Sequence, residues 1–153
     1  MNKKLGKIFP FIALLLGLVA LLMMLFPVLS VGDSDTTYTG LQIITGVSVV
    51  DAGSFAGAKL PFNFLALIAF LLPILAGIVW IFMPKGYILS AILFLVAAVL
   101  FFMLPQFTYL EVTVLGSVTR PDVDWVLQSA GIVAASASIL GVLVSLFGFA
   151  TSK

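Results

Sequence analysis

The chain has no cysteine and no histidine, and only 8% of its 153 residues are charged. Without cysteine there are no disulfides, no thiolate nucleophile and no thiolate metal site. The lack of histidine removes imidazole acid/base chemistry and imidazole zinc ligands. The scarcity of charge excludes an ordinary soluble domain, which carries about 25% charged residues to solvate its surface. There is also no glycine-rich phosphate loop and no basic tract, so neither nucleotide nor nucleic acid is an expected partner.

Hydrophobic residues are abundant instead: they make up 63% of the chain, and the mean hydropathy is +1.32. A hydrocarbon layer about 30 Å thick is crossed by roughly 20 apolar residues in a helix. Four runs reach that length, at about 8–29, 61–83, 86–104 and 125–149. They predict a single four-span membrane domain with outer loops at 30–60 and 105–124. A competing reading of the first run is a cleaved leader, with MNKKLGK as its basic start and Ser30, Val31 and Gly32 as small residues near a cleavage point. The run is longer than the 7–15 residues usual for such a leader, which favours a span.

The few charges set an orientation. Lys3, Lys4 and Lys7 precede the first span, Lys85 separates the second and third, and Lys153 ends the chain. The other side receives Asp33, Asp35, Asp51, Glu111, Asp122 and Asp124 against only Lys59 and Arg120. Basic residues concentrate on the cytoplasmic side of short loops, so both termini are expected in the cytoplasm of a cell-membrane protein. Tyr109 and Trp125 at the outer side, and Trp80 and Tyr87 at the inner, read as interfacial anchors.

Both outer loops alternate as strands do. In YTGLQIITGVSVV, Leu41, Ile43, Thr45, Val47 and Val49 fall on one face, with Gly46 a possible bulge. In the second loop Leu110, Val112 and Val114 alternate with Tyr109, Glu111 and Thr113. A lone strand would leave its backbone groups unpaired. The two segments are therefore expected to pair as a small antiparallel sheet over the helix ends. Gly53, Gly57 and the Lys59-Leu60-Pro61 stretch are read as the turn back to the membrane. The fold class is thus an all-α four-helix transmembrane bundle with an extracytoplasmic β-sheet. An internal echo, LVALLMMLFP at 18–27 and LVAAVLFFMLP at 95–105, suggests a two-plus-two arrangement.

Within the spans, Ala130, Ala134 and Ser138 form one ridge of small residues and Ala137, Gly141 and Ser145 another. Such ridges let helix backbones approach closely, within the bundle or against a partner. Pro73 removes one hydrogen bond in the second span and predicts a kink. No ionisable residue lies inside a span, which argues against a self-sufficient pump or ion-coupled carrier. The carboxylate pairs Asp33/Asp35 and Asp122/Asp124 lack a complete calcium-loop motif, and no nucleophile accompanies them. No catalytic residue, metal ligand or cofactor is assigned, and a lipid- or wall-directed enzyme using Asp122 and Asp124 is the weakest alternative.

Four spans with cytoplasmic ends, and two strand-forming outer loops of which the first is longer, resemble the claudin and peripheral-myelin-protein-like superfamily. The likeness covers nearly the whole chain as architecture. Of that family's first-loop signature, Gly40-Leu41 is present, with Gln42 at the place of a tryptophan and no cysteine pair. The absence of chemistry points to a non-catalytic, claudin-like small four-span subunit that binds itself or another membrane protein through its outer sheet or through span four. A pore or transport component active as an oligomer is the alternative. The bilayer is the one further partner expected, and no small-molecule substrate is evident.

Overall fold

The computed structural model describes residues 3–32, 36–51, 56–83, 85–121 and 123–151. Four long helices dominate: α1 (Lys3–Leu22), α3 (Phe64–Phe82), α4 (Tyr87–Phe107) and α5 (Ser129–Thr151). α3, α4 and α5 are each long and apolar enough to cross a membrane, and so is the segment Lys7–Leu25, which joins most of α1 to the turn after it. At 1.5 Å per residue, the 19 residues of α3 give a rod of about 28 Å. The helices form a closed ring in which α1 and α4 each pack against both α3 and α5.

The segments between α1 and α3 and between α4 and α5 meet at one end of this ring. They hold a short helix α2 (Gly40–Thr45) and seven strands: β1 (Pro27–Val31), β2 (Thr37–Thr39), β3 (Val47–Asp51), β4 (Ala56–Leu60), β5 (Glu111–Val114), β6 (Ser117–Thr119) and β7 (Trp125–Leu127). Two antiparallel sheets result, ordered β2-β1-β7 and β3-β4-β5-β6. The fold is therefore mostly helical with two sheets, where the sequence suggested one.

The two long segments do pair, though not through the strands first expected. β4 pairs β5 in the register Lys59↔Glu111, and β1 pairs β7 in the register Ser30↔Val126. The stretch read as one strand over 38–50 is interrupted by α2. Thr39 and Gln42 explain this. The Thr39 hydroxyl accepts from the Gln42 backbone N–H at 3.2 Å, and the Gln42 side chain accepts from the Thr39 N–H at 3.0 Å. This reciprocal capping box starts a helix where alternation alone suggested a strand. Gly46 ends it at φ 85°, and a Cβ there would meet the Leu60 carbonyl at 2.6 Å. The bulge of β3 falls instead between Ser48 and Val50.

The ends of α1 and α5 next to the sheets also differ from expectation. Pro27 disfavours helical backbone at the preceding residue, and Phe26 is extended at φ −115°, ψ 161°. So α1 closes with a 3-10 turn at Met23–Leu25, and Val28 and Leu29 become buried strand residues. Trp125 likewise lies in β7, ahead of α5. Pro105, the counterpart of Pro27 in the internal echo, stays inside α4, so the two halves diverge where the echo ends. α3 runs continuously through Pro73.

The ring is filled by aromatic rings and closed by small residues. Phe70, Phe94, Phe101 and Leu104 are fully buried, with Phe70 and Phe101 edge to face at 4.9 Å. Such a pair contributes about 0.5–1.5 kcal/mol beyond its burial. Between α1 and α3 the backbones nearly touch. A Cβ at Gly17 would overlap the Pro73 carbonyl, and one at Gly77 would sit 2.5 Å from the Leu14 Cα. Between spans in lipid, contacts of this kind replace the hydrophobic drive that holds soluble bundles together.

Candidate interaction surfaces

Both ridges of α5 face inward. Ala130, Ala134, Ala137, Ser138, Gly141 and Ser145 are all buried within the chain's own ring. A Cβ at Gly141 would overlap the Phe94 ring, and one at Gly148 would overlap the Trp80 indole. The Ser145 hydroxyl lies 2.8 Å from the Gly141 carbonyl and 3.3 Å from the Ser90 hydroxyl, and Ser138 donates to the Ala134 carbonyl at 2.9 Å. The ridges are thus occupied by α4 and its neighbours, leaving larger side chains such as Leu140, Leu146 and Phe147 on the outside of α5.

Three of the four expected interfacial anchors are likewise buried by protein. Trp125 meets Tyr38 edge to face at 5.8 Å, and Trp80 meets Tyr87 at 6.3 Å. Small neighbours such as Gly148 leave room for these rings inside the fold. Burial pushes the Tyr38 phenol above its ordinary pKa of 10.0.

The residues expected on the sheet divide by position. Ile43 is buried and Leu41 exposed, both on α2. Val47 and Leu110 pack against the core, and Val49 lies on β3 with its side chain outside the described part. Leu110, Val112 and Val114 do share a face, but burial fades along it, and Val114 at the far end of β5 is 53% exposed.

Beyond Val114 the chain turns through Leu115 and Gly116 into β6, an edge strand exposed along its whole length. Leu115 is 80% exposed and Val118 60%. The turn is a two-residue one with φ 50° at Leu115 and φ 81° at Gly116. Positive φ at both places is what a type I′ hairpin requires, and it favours Asn or Asp at the first place and Gly at the second. Leucine there costs about 1–2 kcal/mol of backbone strain. The tip therefore carries a large, exposed apolar side chain on strained backbone. The sequence reading assigned no role to Leu115 or Val118: Leu115-Gly116 lacks the Asn or Asp that marks such a turn in a sequence, so only the glycine hinted at this hairpin.

One row of polar side chains crosses the four-stranded sheet near the helix ends. Ser48 pairs Lys59, Lys59 pairs Glu111, and Arg120 follows β6 beside Glu111. Glu111 lies 3.6 Å from Arg120 and 4.0 Å from Lys59, and the Arg120 guanidinium stands 4.2 Å over the Tyr109 ring. Asp33, Asp35 and Asp122 lie outside the described residues. Among the described residues no three His, Cys, Asp or Glu side chains gather as a metal site.

Two open depressions flank the sheets. One of about 400 Å³ runs between Phe26, Thr37, Gln128 and Val133, where Gln128 donates to the Ser30 hydroxyl at 2.6 Å. The other, about 320 Å³, is lined by residues 45–48 and 59–62. Comparison with models of known protein families, with curated proteins and with solved structures finds no match.

Proposed function

We propose that this chain is a non-catalytic, claudin-like four-span protein of the cell membrane, with both termini cytoplasmic, that binds another membrane protein through its outer β5–β6 hairpin. The observation that carries the reading is the tip itself. Val114, Leu115 and Val118 present apolar surface at the polar end of the molecule, and Leu115 does so at a conformational cost. Strained backbone that persists at an exposed loop points to function. The open edge of β6 adds unpaired backbone groups that a partner strand can engage.

Self-association through the same contact is the weaker form. The two segments that build the sheet end carry six acidic residues against Lys59 and Arg120, so a second copy brings like charge to the contact. A partner with a basic or neutral outer surface suits it better. Span four is not the proposed contact, because its small residues are consumed inside the ring. Phe70, Phe94 and Phe101 fill the ring of a single chain, so the alternative, an oligomeric pore, would have to run between chains.

The test is a photoreactive amino acid placed at position 118 and irradiated in native membranes. A discrete cross-linked species containing one other membrane protein is expected. If position 118 yields no adduct above that of position 96, on the outward face of α4, the hairpin is not the contact.

A further inference from the structure

We propose that the 320 Å³ cleft beside Lys59 binds the phosphate of a membrane phospholipid, with the acyl chains descending past Phe62 and Phe64. This rests on the membrane-spanning reading above but not on the hairpin contact.

The level of the cleft carries the first step. Its walls are 45–48 and 59–62, and the Asn63 backbone N–H donates to the Ile44 carbonyl at 2.9 Å. Asn63 is itself the N-cap of α3, accepting from the Ala66 N–H at 3.1 Å. The cleft is thereby fixed at the first turn of an apolar helix, where a bilayer's hydrocarbon gives way to headgroups. Phe62 in its wall and Phe64 at the start of α3 are 56% and 62% exposed, apolar surface that leads from the cleft onto the helix.

Charge supplies the second step. Glu111 has two cationic neighbours and sits closer to Arg120, whose guanidinium is further held over Tyr109. Lys59 is the looser partner at 4.0 Å, and its side chain is 62% exposed. An ammonium has three donors, and one long contact to Glu111 leaves capacity for another anion. Across the β3–β4 pair the Ser48 hydroxyl flanks the same cleft, whereas the Thr45 hydroxyl is engaged with the Leu41 carbonyl at 2.8 Å. Lys59 and Ser48 are thus the groups that would hold the phosphate. Lys59 and Arg120 are the only two cations in the segments that build this end, and both stand in one row, a single residue pair beyond the Val47↔Leu60 row that is nearer the helix ends. That placement suits a plane of lipid phosphates. An anionic glycerophospholipid should bind better than a choline lipid, whose own cation offsets the attraction.

The experiment uses the full chain in nanodiscs of phosphatidylcholine containing a minor fraction of phosphatidylglycerol, transferred to mild detergent and weighed by native mass spectrometry. Wild type is expected to retain phosphatidylglycerol over phosphatidylcholine. Lys59→Gln should lower that retention about tenfold, the scale of one charge-assisted hydrogen bond. Lys59→Arg should restore it, and Lys85→Gln, at the opposite end, should leave it unchanged. Equal retention by wild type and Lys59→Gln overturns the proposal. Displacement of the lipid by millimolar glycerol 3-phosphate would replace it with a site for soluble phosphate esters. A chain that never enters the nanodisc would overturn the membrane reading itself, an outcome distinct from incorporation without lipid preference.

Discussion

Leu115 sets local fitness against exposure. Asparagine tolerates the left-handed conformation that leucine resists. Leu115→Asn is therefore expected to stabilise the fold by about 0.5–1 kcal/mol while weakening partner binding at least about tenfold. Thermal unfolding in detergent and pull-down of the cross-linked partner read the two effects separately. Loss of both stability and binding would make Leu115 a packing residue. Tyr38 gives a second test at this scale. Burial beside Trp125 favours its neutral phenol, so the folded-state pKa lies above the unfolded value near 10. That contribution is complete below about pH 10 and is lost as pH rises through the higher folded value. Tyr38→Phe should flatten the fall in thermal stability as pH rises above about 10, and an unchanged slope would show that the phenol does not titrate in the fold.

At the scale of elements, close helix contacts make the sharpest claims. Gly17 lies against the Pro73 carbonyl, and Gly141 lies under Phe94. Gly17→Leu has only backbone to displace, so it should cost upwards of about 3 kcal/mol, while Gly141→Leu, facing a side chain that can rotate, should cost about 1–3. Unfolding in a denaturing detergent series orders the two, and the reverse order would place the tight crossing elsewhere. Element boundaries show what the sequence made legible. The four long helices could be read because an apolar run of that length has few alternatives. The Thr39-x-x-Gln42 capping box and the Pro27 stop were also written locally, but the alternation of 41–49 and the apolar Val28-Leu29 pair masked them. β4 was illegible for another reason. Ala56, Gly57 and Ala58 have little strand preference, and they become a strand because β3 and β5 lie on either side. The surfaces were legible in part. The inward ridges of α5 and the face of Leu110, Val112 and Val114 could be read from spacing, whereas the exposed tip depends on how far β5 projects beyond the core.

For the whole molecule, the proposed topology puts both sheets outside the cell and Lys85 inside. The natural absence of cysteine makes every introduced thiol unique. Thr113→Cys should react in intact cells with a membrane-impermeant maleimide, whereas Lys85→Cys should react only after permeabilisation. The opposite pattern would invert the chain. On the proposed function, the exposed hairpin is where this small bundle would hold a protein partner. The most direct measurement is the mass of the complex solubilised from its native membrane in mild detergent, for wild type beside Leu115→Asn. Wild type is expected to run as a complex with one other membrane protein, and Leu115→Asn as the lone chain. Equal masses for the two would contradict the account, whether both ran alone or both kept the same partner.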